Sequence, residues 1–294
     1  MAYRQAALEM RGHTLTWGAR TYVMGILNVT PDSFSGDGLL QDEVQESAVE
    51  RGLAFLDAGA HLLDVGAEST RPGAAPVDAE TEMARLVPVI HRLRDATDAP
   101  ISVDTYKASV ARAALDAGAD LVNDVWGLRM DPDMAPLVAQ RGVPVVVMHN
   151  RSKPRDAAQE ARLGGRYVGV RYDDLIGDVI RELCAQIELA HAAGITDGQI
   201  ILDPGIGFGK TVEQNLTLLR RLRDLTTLGY PLLLGPSRKS FIGYTLDQPQ
   251  DQRLEGTAAA VAIGIAQGAD IVRVHDVTAM ARVARMTDAI IGRR

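Results

Sequence analysis

Eight short aliphatic runs, each followed by a stretch of helical period, limit what this chain can fold into. The runs lie at 22–27, 61–65, 100–103, 119–123, 143–148, 199–202, 231–234 and 270–274. The helical stretches lie at 42–58, 78–96, 107–117, 133–140, 172–193, 212–226, 252–267 and 276–290. Strict alternation of this kind predicts a parallel sheet, because each return to the sheet edge uses a helix. Eight such units in roughly 250 residues match a closed barrel. The predicted fold is therefore α/β, a (β/α)8 TIM barrel forming a single domain over residues 1–294. Leu8–Thr16 alternates weakly and ends at Trp17–Gly18, which predicts a short N-terminal β-hairpin within residues 1–20 that plugs one end of the barrel.

A cryptic repeat supports the barrel. Asp57–Asp64, Asp116–Asp124 and Gln267–Asp276 each read as a helix end, a Gly, a strand and a polar residue. The Gly is expected to stop the helix in a left-handed cap. An open doubly wound sheet is the competing fold. It usually carries a Gly-rich fingerprint after its first strand, and this first strand leads into Asn28-Val-Thr-Pro instead.

Apolar residues make up 46% of the chain and aromatics only 4%, so the core is expected to be aliphatic. The net charge of −7 argues against a general nucleic-acid binder, which needs a broad basic footprint. It leaves room for a small focused anion pocket. The single cysteine, Cys184, permits no internal disulfide and no Cys-based zinc site, and is expected to be a core residue. No apolar run approaches the ~18 residues of a membrane span. The expectation is a soluble cytoplasmic protein.

In barrels of this type the site forms at the C-terminal strand ends. There the sequence places Asn28, Asp64, Asp104-Thr105, Asn123-Asp124, Met148-His149-Asn150, Asp203 and Arg273 with His275. The second strand runs into Gly66–Gly73, the sixth into Asp203–Lys210 and the seventh into Gly235–Ser240. Two chemistries separate. Asp104, Asn123 and Asp203 suit a flat heterocycle rich in N–H donors, since a carboxylate accepts two N–H bonds side by side and an Asn matches a mixed edge. Arg71, Lys239, Arg273 and His275, with Asn28 nearby, suit a phosphate or diphosphate. The first and last barrel strands are neighbours, so Asn28, Arg273 and His275 are expected to converge.

Gly205–Thr211 imitates a phosphate loop but fails, because Pro204 stands where the first Gly is required. Its glycines are expected to let the backbone approach a flat ligand, with Phe208 as a lid. The helix after it is expected to offer free N–H groups near Thr211. His13, His61, His91 and His191 read as structural or solvent-facing. His149 and His275 make a weak case for zinc. Magnesium fits better, because it keeps its waters and leans on substrate phosphates.

With these residues assembled, the chain resembles the dihydropteroate synthases, folate-pathway enzymes of the pterin-binding barrel family. The resemblance covers roughly residues 20–290 and rests on MGILNVTPDSFS, GAESTRPG, SVDT, VNDVWG, VMHN, LDPGIGFGKT, GPSRKSFIG and RVHDV, in that order. It implies a transferase that joins 4-aminobenzoate to (7,8-dihydropterin-6-yl)methyl diphosphate, releasing diphosphate. It implies that Asp104, Asn123, Asp203 and Lys239 hold the pterin, with Met148 and Phe208 lining its pocket. Asn28 would bind Mg²⁺, and Arg273 and His275 would grip the diphosphate with Thr70 assisting. Phe34, Arg71 and Pro72 would shape the aminobenzoate site from the loops after the first two strands. Ser240, at a helix start, would sit near the aminobenzoate carboxylate. The family is typically homodimeric.

Two departures are visible. The family reads Phe-Ser-Asp-Gly-Gly after the first strand tip, whereas this chain reads Phe34-Ser-Gly-Asp37-Gly38. The loop Arg151–Tyr167 lacks the usual Gln-Gly-Thr-Pro continuation and is long and basic, which reads as a variable surface loop. Three rival readings fit the chain less well. A pterin-dependent methyltransferase of the same superfamily would lack the diphosphate grip and the STRPG and first-loop signatures. A non-catalytic pterin-binding homologue would have lost the loop motifs kept here. A phosphate-binding barrel lyase or isomerase commonly needs a Lys within a strand, and none of the eight runs contains one.

Overall fold

The computed structural model describes residues 5–29, 41–68, 76–153 and 156–293. Phe34, Asp37, Thr70, Arg71 and Pro72 lie outside them. A hairpin of β1 (Ala7–Met10) and β2 (His13–Thr16) comes first. Eight parallel strands follow: β3 (Tyr22–Asn28), β4 (Leu62–Gly66), β5 (Ile101–Asp104), β6 (Leu121–Asp124), β7 (Val145–Met148), β10 (Ile200–Asp203), β11 (Leu233–Leu234) and β12 (Ile271–Val274); a separate small antiparallel pair, β8 (Ala157–Ala158) and β9 (Arg166–Tyr167), lies in the loop after β7. The sheet order is β10-β7-β6-β5-β4-β3-β12-β11. A parallel bridge from Leu202 to Leu232 closes β10 against β11, so the barrel is complete.

The outer helices are α1 (Gln41–Asp57), α2 (Ala79–Ala96), α3 (Ala108–Asp116), α4 (Met134–Arg141), α5 (Leu175–Ala192), α6 (Val212–Arg220), α8 (Leu254–Ala266) and α9 (Val277–Ile291). A short extra helix, α7 (Ser240–Leu246), sits between β11 and α8. The stretch read as one helix over 212–226 breaks at Arg221, and residues 222–228 wind into a 3₁₀ helix. None of the described helices is long and apolar enough to cross a membrane. Cys184 is half-buried on α5 rather than in the core.

The repeat is a helix-ending device. Gly59, Gly118 and Gly268 have φ of 103°, 110° and 111°. At each, the Gly N–H bonds three residues back (Leu56, Leu115, Ile265) and the following Ala N–H bonds five back (Phe55, Ala114, Gly264). A side chain at positive φ would be strained there, so Gly is what allows the chain to turn from helix into strand.

Strand side chains alternate across the barrel wall. One alternate set, including Leu63, Val65, Val103, Val122 and Leu202, faces the helices and forms the main aliphatic core. The other set faces inward. Near the N-terminal strand ends these are Met24, Leu62, Leu121, Val146, Ile201, Leu233 and Ile271. Leu8, Met10, Leu15 and Trp17 pack against them, so the hairpin closes this end as the sequence predicted. This apolar floor is what the site stands on.

Candidate active site

Two residues beyond four of the floor residues, the barrel interior turns polar. Leu62 is followed inward by Asp64, Leu121 by Asn123, Ile201 by Asp203 and Ile271 by Arg273, while Val146 is followed by Met148. Asp104 joins them from the tip of β5, opposite Asn123 and Gly66. The predicted heterocycle grip is thus one inward layer.

Arg273 is the centre of that layer. Its Nε donates to Asp64 Oδ2 at 2.5 Å and its Nη2 to Asp104 Oδ2 at 2.6 Å. Asn123 Nδ2 donates to the same Asp64 oxygen at 3.2 Å. Burial pushes the Asp104 carboxyl well above the ordinary carboxylate range; Arg273 opposes this and nearby Asp64 adds to it. Burial would lower the Arg273 pKa, but Asp64 and Asp104 together hold it above its usual value. The sequence reading placed Arg273 only with the anion set. The structure puts its guanidinium between the carboxylates, at the boundary of the two sets.

Asp203 and Lys239 form the opposite wall. Asp203 Oδ1 accepts the Gly205 N–H at 2.6 Å. Burial raises its pKa, with Lys239 opposing. Lys239 Nζ donates to the Ile206 carbonyl and lies 4.4 Å from the centre of the Phe208 ring. Burial lowers this lysine to about 8, with Asp203 opposing. Lys239 is aimed by the preceding residue. Arg238 adopts φ of 58°, and its backbone is held by Thr257 Oγ1 and by Arg253 Nη1. Ser240 opens α7 immediately after.

Asn28 ends β3, which lies between β12 and β4. Asn28 pairs with Gly66, and Arg273 pairs with Met24 on the other side. Asn28, Arg273 and His275, expected from sequence to converge, thus sit on or just beyond neighbouring strands. The His275 ring Nδ1 lies 3.0 Å from Ser237 Oγ, which also accepts the His275 N–H at 3.1 Å. At Asn28 the chain offers a single carboxamide oxygen at a strand end, a hard donor of the kind magnesium accepts, and no group of three or more His, Cys, Asp or Glu among the described residues offers a resident metal cage.

Some tip residues do other work. Asp124 faces outward, and its carboxylate accepts the Trp126 and Leu128 N–H groups at 2.8 Å, stabilising a turn. Asn150 Nδ2 bonds the Val125 carbonyl at 2.9 Å. The N–H groups expected to be free near Thr211 are taken by a capping box: Thr211 Oγ1 accepts from Gln214, and Gln214 Oε1 accepts from Thr211. His61 is structural, with Nδ1 accepting the Val23 N–H at 3.0 Å. The basic loop after β7 is docked rather than splayed. Arg151 bonds Glu182, Arg162 bonds Asp247 and Arg166 lies over the Tyr244 ring.

Two residues escaped the sequence reading. Asp64 was noted at a strand tip but not assigned, although it is fully buried and is the second ligand of Arg273. Lys210 was set aside with the failed phosphate loop, yet it is completely enclosed beneath that loop. The period-two step from Leu62 would have flagged Asp64. Nothing local marks Lys210.

With this geometry in place, the comparisons are specific. Residues 24–275 match the pterin binding enzyme family. The chain is 49% identical over 281 residues to a dihydropteroate synthase of Synechocystis sp., covering 95% of this chain and 93% of that one. It superposes on Xanthomonas albilineans dihydropteroate synthase solved with 4-aminobenzoic acid at a TM-score of 0.87, with 43% identity and coverage of 97% and 98%. The same enzyme solved in complex with 7,8-dihydropteroate gives a TM-score of 0.84, with 40% identity and the same coverage.

Proposed function

The chain belongs to the pterin binding enzyme family, and from that premise we propose that it joins a pterin methyl diphosphate to 4-aminobenzoate, giving 7,8-dihydropteroate and diphosphate. The observation that carries this reading is the inward layer of Asp104, Asn123 and Asp203 beside Lys239, a set of acceptors matched to the N–H edge of a pterin. A ligand without those donors would leave the acceptors buried and unpaired, so the layer selects for the ring.

The chemistry asks for little beyond that. The methylene C–O bond breaks, its electron pair leaves on diphosphate, and the electron-rich ring shares the positive charge left behind. The aniline nitrogen attacks the methylene carbon with its lone pair and then sheds a proton. That proton is acidic once nitrogen is alkylated, so no dedicated base is required. The protein's tasks are to orient the ring, steady the departing anion and exclude water. Asp104, Asn123, Asp203 and Lys239 orient, with Met148 and Phe208 lining the ring. Arg273 and His275 face the departing anion. Mg²⁺, held by Asn28 together with the diphosphate, would supply further charge neutralisation. Thr70, Arg71, Pro72 and Phe34 are assigned to the anion and aminobenzoate sides by resemblance, and Ser240 to the aminobenzoate carboxylate.

A homodimer is part of this proposal. The outward face of α8 carries exposed Leu254 and Ile263, and neighbouring α9 exposes Met286, Ile290 and Ile291. A helix that is apolar all round is normally covered. A cytoplasmic location is also proposed, resting on a single cysteine that permits no disulfide framework.

The test is diphosphate release by the purified protein given the pterin diphosphate and Mg²⁺, with and without 4-aminobenzoate. Release that rises with 4-aminobenzoate is expected. No release under either condition sinks the reading.

A further inference from the structure

We propose that Lys210 is a positioning residue for the pterin site: its buried ammonium pins the Gly205–Phe208 turn from below while Lys239 engages it from above. The proposal rests on the pterin reading. It concerns a residue with no assigned part in substrate binding, which reaches the backbone of Phe208 and not its ring.

The turn is held on two sides by two lysines. Lys210 Nζ donates to the Gly205 carbonyl at 2.9 Å and to the Phe208 carbonyl at 3.1 Å. The Ile206 carbonyl between them points the other way and accepts from Lys239. The same turn supplies the Gly205 N–H that fixes Asp203, and the Phe208 ring. Displacing it would therefore move Asp203, Phe208 and Lys239 together.

The third contact of Lys210 settles its protonation. His149 Nδ1 lies 3.0 Å from Lys210 Nζ, and His149 Nε2 lies 3.0 Å from Glu182 Oε2. Glu182 is itself held by Arg151, which keeps it an acceptor. His149 therefore presents Nε2–H to Glu182 and a bare Nδ1 to Lys210. Lys210 then faces three acceptors and no donor. A neutral amine has two hydrogens, whereas an ammonium has three, so the geometry requires the ammonium. Burial works against this charge and lowers the lysine to about 7, with Asp203 opposing. The three bonds and the nearby Asp203 and Glu182 carboxylates are what retain it. Burial likewise lowers His149 to about 4, which keeps the ring neutral and its Nδ1 available.

The arrangement leaves no slack. A side chain at Gly205 would meet the His149 carbonyl at 1.8 Å, so the turn is pressed directly onto the end of β7. Lys210 gives the Gly205 carbonyl a second donor beside the Phe208 N–H and supplies a donor to the Phe208 carbonyl.

The experiment pairs a measurement on the unaltered protein with a variant. In ¹⁵N-histidine NMR of the wild type, His149 is expected as the Nε2–H tautomer with an unprotonated Nδ1. In Lys210→Met, affinity for 6-hydroxymethyl-7,8-dihydropterin is expected to fall roughly tenfold to a hundredfold, the scale of a small misplacement of binding groups. The KM for 4-aminobenzoate should change less than threefold. A protonated Nδ1 in the wild type overturns the proposal whether or not the variant folds. A folded variant that keeps wild-type pterin affinity within twofold also overturns it, leaving Lys210 a stability residue. Wild-type protein that binds no pterin overturns the functional reading and this inference together, which separates that failure from the other two.

Discussion

Arg273 and Asp64 stand 209 residues apart in the chain and 2.5 Å apart in the barrel. Asp64 is fully enclosed and its Oδ1 has no hydrogen-bond partner among the described residues, so Arg273 and Asn123 answer for its buried carboxylate through the other oxygen. Removing Arg273 alone would strand that group. Arg273→Met is expected to lose about 3–5 kcal/mol of stability, the usual cost of breaking one side of a buried pair. The double variant with Asp64→Leu should recover much of that loss. Urea unfolding of the two singles and the double measures the coupling, and simple additivity would refute it.

Asp104 is the other carboxylate partner of Arg273 beside Asp64, and its burial is a cost that binding can redeem. Asp104→Asn should weaken pterin binding by roughly 100-fold or more, because two N–H donors lose a shared carboxylate. Unfolding should show stability held or raised, since a desolvated acid beside Asp64 has gone. Calorimetric titration with unfolding reads both. Loss of stability in parallel with affinity would mean that Asp104 is structural.

Gly207 has φ of 82°, and a Cβ there would meet Lys239 Cδ at 2.6 Å. Gly207→Ala is therefore predicted to push the lysine off the Ile206 carbonyl. Pterin affinity should drop by roughly tenfold or more, while stability falls by only about 1–2 kcal/mol of backbone strain. An unaltered Kd for the pterin would show that Lys239 is not positioned by this contact.

Acid should destabilise the fold through two histidines, half-buried His61 and buried His149. Burial lowers His61 to about 4, with Arg20 adding to it, and lowers His149 to about 4, with Lys210 adding. The unfolded chain protonates both near pH 6.5, whereas the folded chain does so only near 4. Between those values the unfolded state binds more protons, so stability falls as pH falls from 6.5 to 4. Full stability is present above 6.5. His61→Asn, which keeps an acceptor for the Val23 N–H, should flatten the slope. Urea midpoints at pH 7, 6 and 5 test this, and an unchanged slope in the variant removes His61 from the account.

The hairpin closes the end of the barrel opposite the site. Leu15 is buried in the apolar floor with Trp17 and Leu62. Leu15→Ala should cost about 2–4 kcal/mol by cavity formation. KM values should be unchanged at temperatures where the variant is folded. A shifted KM would show that the floor transmits strain to the site.

Much of this protein was legible in its sequence, for identifiable reasons. Alternating aliphatic runs and helical stretches fix which segments become strands, because their periods are local. The Gly59, Gly118 and Gly268 caps were equally readable, since a helix end needs positive φ and Gly supplies it. The helix read over 212–226 was not, because the pattern stayed apolar across the break at Arg221. In the site, Asp104, Asn123, Asp203 and Arg273 were found from their place at strand tips. Asp124 has the same local signature, yet it serves a turn. One step along a strand reverses the face, and only register says which step is inward.

The sequence by itself determined a barrel and an inventory of polar groups at one end of it. Tertiary structure decided who answers to whom. It set Arg273 between Asp64 and Asp104 and folded His149 beneath the mouth against Lys210. It also turned the apparent phosphate loop into a pinned shelf. The physical reason is that charge and hydrogen-bond partners are chosen by distance and burial, and closing the ring brings together groups whose separation in sequence carries no signal.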